Sequence, residues 1–209
     1  MEICKLNDEK NLKITELRQG VKNPERVNVF VNGKFAFSLF VTQAVDLKIK
    51  VGQEISKEEL AKLEEASEFG KLYQRTLEWA LLRPRSVRET KDYLIRKLKG
   101  SSELIDKIIE RLVDKNYVND EVFAKWYVEN RFVKKGISKK RLKMELIKKG
   151  IDREILEQVL EKRNDEEEIL KIIAKKRNQY DDEKLINYLC RQGFSFELAQ
   201  NLVRTYEKD

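Results

Sequence analysis

The stretch LIKKGIDREILEQVL, residues 146–160, decides the fold of this 209-residue chain. Apolar residues recur at helical spacing on both sides of Gly150, and glycine commonly ends a helix in a left-handed turn. The stretch therefore predicts a helix, a glycine turn and a second helix. No unit this short buries much apolar surface alone, so neighbouring units are expected to pack against it.

Two other segments repeat this pattern at a period of about 40 to 50 residues. The ends of the first helices align as Leu94-Ile95-Arg96, Leu146-Ile147-Lys148 and Leu189-Cys190-Arg191, followed by Gly100, Gly150 and Gly193. The second helices align at Glu103-Leu104-Ile105, Glu154-Ile155-Leu156 and Glu197-Leu198-Ala199. With a linking helix before each pair, we predict tandem three-helix repeats at 72–118, 119–164 and 165–209 that form an elongated, curved array.

The segment before the repeats carries strand signals. Residues 26–31 and 34–40 alternate polar and apolar side chains around Asn32-Gly33, which predicts a hairpin with a type I′ turn. Residues 13–18 and 53–55 add two strands, so 1–55 is predicted to be a small β-rich module. The side chains expected to be buried there are Val27, Val29, Val31, Phe35, Phe37 and Leu39. Ser56 and Glu59 form a capping box that predicts a long linking helix over 56–82, ended by Pro84. The fold class is therefore mainly α.

Composition argues against most enzyme classes. The chain has no histidine, so Ser-His and Cys-His nucleophile pairs and zincin motifs are excluded. Its eight glycines are too widely spaced for a phosphate loop or a dinucleotide fingerprint. The two cysteines, Cys4 and Cys190, are too few for a zinc site and are expected to be free thiols. We predict no catalytic residue, cofactor or metal. The absence of a long apolar run or a leader pattern predicts a cytoplasmic protein without a membrane partner.

Positive charge is concentrated in the middle repeat. Residues 119–163 hold 13 Lys or Arg against 8 Asp or Glu, whereas 164–209 hold 8 against 10. Nine of these basic residues lie within 19 positions that contain one acid, Glu145: they are Arg131, Lys134, Lys135, Lys139, Lys140, Arg141, Lys143, Lys148 and Lys149. Leu142, Leu146 and Ile147 are expected to face inward and the lysines outward. We predict contact with phosphates or carboxylates, and a merely solvated helix face is the alternative.

A second basic stretch runs from Arg83 to Lys99 and includes Arg85, Arg88 and Arg96. Arginine suits pairing with carboxylates and phosphates. Arg83 and Arg85 could equally cap and flank the turn at Pro84, and the sequence does not separate these two roles.

Three other patterns favour structural roles. The acidic runs 165–168 and 181–183 fit helix starts, where carboxylates complement the helix dipole, better than a metal site. The second helices of the repeats are acidic or mixed in charge, which argues against base readout by a helix-turn-helix. Four aromatic residues near the repeat seams are predicted to pack between helices rather than to stack on bases: Trp79, Tyr117, Trp126 and Tyr127.

Several motifs closely resemble the RecX regulatory proteins. They are Arg83-Pro84-Arg85-Ser86, Tyr117-Val118-Asn119-Asp120-Glu121 with Phe123-Ala124, Lys149-Gly150-Ile151, and Arg191-Gln192-Gly193-Phe194. The resemblance covers residues 72–209. It implies tandem three-helix repeats and a non-enzymatic regulator that binds the RecA recombinase filament on single-stranded DNA. Such a regulator would modulate, mostly inhibit, the ATPase, strand-exchange and co-protease activities of RecA.

The resemblance also assigns contact candidates. Arg83, Arg85, Arg131, Lys135 and Arg141 match basic positions of the family motifs and are expected to contact RecA or its DNA. The net acidic third repeat and the module at 1–55 depart from the family's basic repeat core, so their parts are left open. A monomer is expected. The alternative function is that of a stand-alone, non-specific binder of single-stranded or double-stranded DNA.

Overall fold

The computed structural model describes residues 12–21 and 23–206, and at 132–135 it describes the backbone alone. The described residues divide into two compact units between Thr76 and Leu77. The first unit contains the predicted strands and the second contains the predicted helical repeats. Cys4 lies outside the described residues, and Cys190 is a free thiol, as predicted.

The first unit is built on a four-stranded antiparallel sheet. Its strands are β1 (Leu12–Gln19), β2 (Arg26–Val31), β3 (Lys34–Phe40) and β4 (Glu54–Ile55), in the order β3-β2-β1-β4. Asn32 and Gly33 both have positive φ, 49° and 76°, as the predicted type I′ turn requires. Ile14, Val29 and Leu39 are fully buried on the inner face of the sheet.

One predicted core residue of this sheet is exposed. Phe35 was expected to be buried, yet 58% of its surface is accessible. The pairing of β2 with β3 shifts register between Val29 and Phe30, so that Phe30 lies opposite Phe35. A bulge of this kind interrupts the strict alternation of faces on which the prediction depended. The two rings contact edge to face with centroids 6.0 Å apart.

Two helices pack on the sheet. The short helix α1 (Val41–Asp46), which the sequence did not predict, follows β3 directly, and α2 (Lys57–Leu81) is the predicted long helix. The capping box is present: Glu59 N–H donates to Ser56 Oγ at 3.1 Å, and Ser56 N–H donates to the Glu59 carboxylate at 2.8 Å. Gln43 of α1 donates to the carbonyl of Ala66, and a Cβ on Gly70 would overlap the Gln43 amide. Gly70 therefore lets α1 approach α2 closely.

The second unit consists of helices in three groups. The first group is α3 (Val87–Tyr93), a π-helical turn (Leu94–Leu98) and α4 (Ser102–Asp114). The second group is α5 (Asp120–Lys135), α6 (Lys139–Lys148) and α7 (Arg153–Leu160). The third group is α8 (Asp165–Lys176), α9 (Asp182–Arg191) and α10 (Phe196–Thr205). The mainly helical fold with a β-rich first module is confirmed, whereas the repeat boundaries stay predictions.

Each helix group has apolar side chains at its centre. Leu94, Ile108 and Leu112 are fully buried in the first group. The buried side chains of the second group include Phe123, Ala124, Leu142, Leu146 and Leu156. Those of the third group include Ile169, Ile173, Leu185, Leu189, Ala199 and Val203. These residues recur at helical spacing, which accounts for the pattern detected in the sequence.

Two details of the predicted helices are wrong. Gly150 and Gly193 have the positive φ expected of helix stops, 80° and 93°, but in the first group Lys99 holds the left-handed conformation (φ 54°) in place of Gly100. The π-helical turn before Lys99 adds a residue to the helical turn and moves its end by one position. Ile147 was expected to face inward and is 50% exposed, because α6 buries only Leu142 and Leu146.

Candidate functional site

The first and second helix groups meet at a seam that fixes the start of α3. Ser86 caps α3 by accepting from Glu89 N–H at 3.0 Å, and its hydroxyl donates to the carbonyl of Lys149 at 2.9 Å. Asp120, the first residue of α5, accepts from Val87 N–H at 2.8 Å. Burial raises the pKa of the Asp120 carboxyl, and this hydrogen bond opposes the rise. A carboxylate from one group thus caps a helix of the preceding group.

The second and third groups repeat this seam. Ser138 caps α6 by accepting from Arg141 N–H at 3.1 Å, and its own N–H donates to the carbonyl of Gln192 at 3.2 Å. Asp165, the first residue of α8, accepts from Lys139 N–H at 2.7 Å. The acidic run at 165–168 is therefore a helix start, as predicted, and it also binds the neighbouring group.

The role of these aspartates at the seams was not predicted from the sequence. Their signal is a short repeat, because Asn119-Asp120-Glu121 recurs as Asn164-Asp165-Glu166. In each copy the asparagine side chain accepts a backbone N–H of its own helix, and the aspartate accepts one from the preceding group. Only the three-dimensional arrangement shows that the two side chains face different helices.

Glu168 holds an ion pair beneath this second seam. Its carboxylate lies 3.3 Å from the Arg163 guanidinium, and both side chains are less than 10% exposed. The predicted helix start at 181–183 is also confirmed, because Asp181 caps α9 by accepting from Lys184 N–H at 2.8 Å. The described residues contain no group of three or more potential metal-ligating side chains.

Arg83 and Arg85 make contacts within the protein. Arg83 donates to the carbonyl of Pro84 at 2.8 Å and to the Glu89 carboxylate at 2.9 Å, and its guanidinium lies 5.0 Å from the Trp126 ring centroid. Arg85 is 8% exposed, and its guanidinium lies 3.7 Å from the centroid of Trp79. Both arginines therefore hold the turn at Pro84, which is the structural role that the sequence left open.

The aromatic side chains confirm the packing interpretation in part. Trp79 stacks on Tyr93 with ring centroids 4.3 Å apart, and Trp126 packs against Phe123. Tyr127 is half-buried and donates its hydroxyl to Glu145. Tyr117, in contrast, is 41% exposed.

Glu145 is the centre of a charge cluster between α5 and α6. Arg131 binds its carboxylate with two hydrogen bonds of 2.9 and 2.8 Å, and Tyr127 Oη donates to it at 2.8 Å. Arg141 lies 3.5 Å from the same carboxylate and donates to the carbonyl of Arg191. The hydrogen bond from Arg131 lowers the pKa of Glu145 to about 2, against the opposing effect of burial. Arg131 and Arg141 therefore stabilise the second group and its seam.

Lys149 is likewise bound within the protein. Its ammonium group lies 2.5 Å from the Glu89 carboxylate, so Glu89 binds both Arg83 and Lys149 across the first seam. Burial would raise the pKa of Glu89, but the hydrogen bonds from these two cations outweigh it and lower the pKa.

Four predicted lysines remain available to a partner. Lys139, Lys140, Lys143 and Lys148 are exposed on α6 and form no ion pair within 4 Å among the described residues, although Lys143 contributes, after Arg153, to lowering the pKa of Glu157. We call these four residues the lysine surface. Arg88 and Arg96 are also exposed, at α3 and in the π-helical turn. The side chains of Lys134 and Lys135 lie outside the described residues.

Comparison with known proteins identifies the segment that carries the lysine surface. A family model described as "RecX, second three-helix domain" matches residues 119–160, and a model described as "Regulatory protein RecX N-terminal domain" matches residues 12–56. Both segments therefore match RecX family models. The two RecX models cover the second helix group and most of the first unit.

Curated RecX relatives match over about two fifths of the chain. The chain is 32% identical over 84 residues to "Regulatory protein RecX" of Bacillus subtilis (strain 168), and this match covers 40% of the chain and 32% of the relative. It is also 32% identical over 87 residues to the protein of the same name from Clostridium beijerinckii, covering 42% of the chain and 40% of that relative. The match thus spans between a third and two fifths of the relatives' length.

Solved RecX structures share the fold. "Crystal structure of regulatory protein RecX" aligns with a TM-score of 0.72 and 20% identity, over 93% of this chain and all of the other. RecX from Lactobacillus salivarius aligns with a TM-score of 0.56 and 28% identity, over 66% of this chain and 96% of the other. No helix in the described part of the chain has the length and apolar character needed to cross a membrane.

Proposed function

We propose that this chain is a non-enzymatic regulator that binds the RecA recombinase filament on single-stranded DNA. It would modulate, mostly inhibit, the ATPase, strand-exchange and co-protease activities of RecA in DNA repair, recombination and the SOS response. It would act as a cytoplasmic monomer without a cofactor. The observation that supports the proposal is the coincidence of two features: the segment matched by the second RecX domain model is also the segment with the lysine surface.

The contacts that the basic residues make within the protein indicate which of them bind the filament. Arg83, Arg85, Arg131, Arg141 and Lys149 already bind acids, carbonyls or aromatic rings of the protein. An exposed lysine without a counter-ion loses less on meeting a phosphate or carboxylate, because no internal pair is broken. We therefore assign the first contacts with the filament to the lysine surface, and a supporting role to the bound arginines.

The test is RecA ATP hydrolysis on single-stranded DNA, titrated with this protein at substoichiometric and equimolar ratios. We expect suppression well below one protein per RecA. The variant Lys139→Glu/Lys140→Glu/Lys143→Glu should lose most of this suppression. The matched control is Lys57→Glu/Lys62→Glu/Lys71→Glu, which reverses three exposed lysines on α2. Wild-type protein without effect on RecA would contradict the proposal.

The lysine surface also supports the second candidate, a stand-alone nucleic-acid binder. Salt separates the two functions. Binding through four phosphate contacts of single-stranded DNA alone falls about 50-fold as salt rises from about 50 to 200 mM, whereas a filament interface retains affinity through its protein contacts. DNA binding that collapses with salt, together with unchanged RecA hydrolysis, would favour the second candidate.

A further inference from the structure

A groove of about 520 Å³ lies between α6 and the turn that follows α9. Lys140, Met144 and Lys148 line it from α6, and because they are four residues apart they share one face of that helix. Gly193 and Phe194 line it from the turn. The volume is within the range of about 300–1,000 Å³ that is typical of ligand sites.

The centre of the groove is apolar. Met144 and Phe194 both line it, Met144 with 52% and Phe194 with 4% of its surface exposed. Gly193 contributes no side chain. A Cβ there would lie 2.6 Å from Ser138 Oγ, so glycine both permits the seam and leaves the groove open.

The rim of the groove is cationic. Lys140 and Lys148 belong to the lysine surface, so in the described part of the chain their ammonium groups face no acid at ion-pair distance. The acid in the lining is Glu145, and Arg131 already binds both of its oxygens. Two lysines thus flank an exposed methionine without compensating negative charge.

We propose that this groove binds an acidic peptide segment of a partner protein, with an apolar side chain on Met144 and carboxylates at Lys140 and Lys148. Eight residues of α-helix separate the two lysines by about 12 Å. An extended peptide advances about 3.3 Å per residue, so acids four positions apart span about 13 Å. The fitting pattern is acid, any residue, apolar residue, any residue, acid. This inference deepens the proposed function and rests on it for the presence of a protein partner.

The chemistry of the groove favours a peptide over a nucleic acid. Single-stranded nucleic acids bind through bases stacked on exposed aromatic faces together with cations along the backbone. Phe194, the aromatic residue of the lining, is almost completely buried and offers no such face. The flexible, polarizable side chain of Met144 adapts instead to aliphatic side chains.

The experiment measures fluorescence anisotropy of labelled 12-residue peptides with full-length protein. The probe carries the motif DSLSD in a Ser/Gly background, and the comparison peptides carry NSLSN and DSSSD. We expect the loss of either the two charges or the leucine to weaken binding by about tenfold or more. Lys140→Glu/Lys148→Glu should weaken binding of the probe to a similar extent. The control Lys139→Glu/Lys143→Glu reverses two lysines of the same helix outside the groove and should change binding by less than about threefold.

A second pair of variants tests the apolar contact. Met144→Ser should weaken the DSLSD peptide about tenfold and leave DSSSD unchanged, whereas Ile147→Ser, which alters an equally exposed residue outside the groove, should affect neither. Cys190 lies in the lining, so in a Cys4→Ser background the bound peptide should slow its alkylation by iodoacetamide.

Three results would overturn the inference. The first is equal loss in both lysine double variants, the second is equal binding of DSLSD and DSSSD, and the third is protection of Cys190 by oligo(dT) but not by the peptide. None of these measurements contains RecA. Unchanged RecA hydrolysis with intact peptide binding would therefore refute the proposed function alone, and the reverse result would refute the groove alone.

Discussion

At the scale of single residues, a basic side chain that is already paired within the protein differs from one that is exposed to a partner. Arg131 and Lys143 both belong to the basic stretch that the sequence singles out, but Arg131 binds Glu145 and Lys143 is exposed. The number and position of these charges can be read from the sequence. Which of them pair with an acid cannot, because Glu145 contacts Arg131 from a different helix, 14 positions along the chain.

The same limit explains the two neighbours Leu146 and Ile147. Both are apolar and adjacent, so helical periodicity admits either on the inner face. Leu146 is fully buried and Ile147 is 50% exposed because α6 packs Leu142 and Leu146 against the other apolar side chains of the second group. Packing determines which face of a short helix is buried, and the sequence pattern locates that face only to within one residue.

The ion pair of Glu145 predicts how the free energy of unfolding depends on pH in acid. Its folded pKa of about 2 lies below the ordinary value of 4.5, so its pairing stabilises the fold above pH 4.5 and is lost as pH falls toward 2. The shift corresponds to about 3 kcal/mol at most. We expect Glu145→Gln to lower the free energy of unfolding at pH 7 by about 1–3 kcal/mol and to have little effect at about pH 2 or below. The measurement is urea unfolding followed by tryptophan fluorescence, since Trp79 and Trp126 both lie in the second unit.

Glu157→Gln is the control for this prediction. Glu157 pairs with Arg153 on the surface of α7, where both side chains are more than half exposed. Solvent screens such a pair, so its loss should leave the pH dependence of unfolding almost unchanged. A wild-type to Glu145→Gln difference that is equally large at pH 7 and at about pH 2 would show that the ion pair does not stabilise the fold through charge.

At the scale of elements, the repeated seam explains why the aligned glycines were informative. Gly150 and Gly193 end α6 and α9 next to the capped starts of α3 and α6, and a Cβ at Gly150 would lie 2.8 Å from Arg88 Cβ. A glycine was therefore needed at both positions for close approach as well as for its positive φ. The sequence predicted the turns from local chemistry, but the contact across the seam is non-local and left no signal beyond the paired Asn-Asp-Glu segments.

Asp120 tests this seam. Asp120→Ala removes the acceptor for Val87 N–H and should lower the free energy of unfolding by about 0.5–2 kcal/mol, as other lost helix caps do. Asp120→Asn keeps an acceptor and removes a charge whose burial is unfavourable, so it should retain most or all of the wild-type stability. Glu121→Ala is the control, because it removes the next acid of the same helix turn, which pairs with Lys125 at the surface. Equal loss in Asp120→Ala and Glu121→Ala, measured by urea unfolding, would contradict the seam.

At the scale of the whole molecule, the net charge of +7 is an average over unlike parts. The segment 119–163 carries most of the excess, and 164–209 is net negative. Within this basic segment, Arg131, Arg141 and Lys149 pair with acids of the protein, whereas the lysine surface is exposed and outside the ion pairs of the described residues. A partner that is attracted by the charge of the whole chain is therefore expected to bind at one place.

Salt dependence distinguishes a local charge effect from a general one. Each phosphate contact with single-stranded DNA contributes about −0.7 to the slope of log K against log salt, so four contacts by the lysine surface predict a slope of about −3. Lys139→Glu/Lys140→Glu/Lys143→Glu should reduce its magnitude by about 2. Lys57→Glu/Lys62→Glu/Lys71→Glu lowers the net charge from +7 to +1 by the same amount and should leave the slope nearly unchanged. Anisotropy titrations of labelled oligo(dT) from 50 to about 200 mM salt measure both slopes. Because the two variants have the same net charge, an equal reduction in both would mean that DNA responds to the charge of the whole chain rather than to its arrangement on α6.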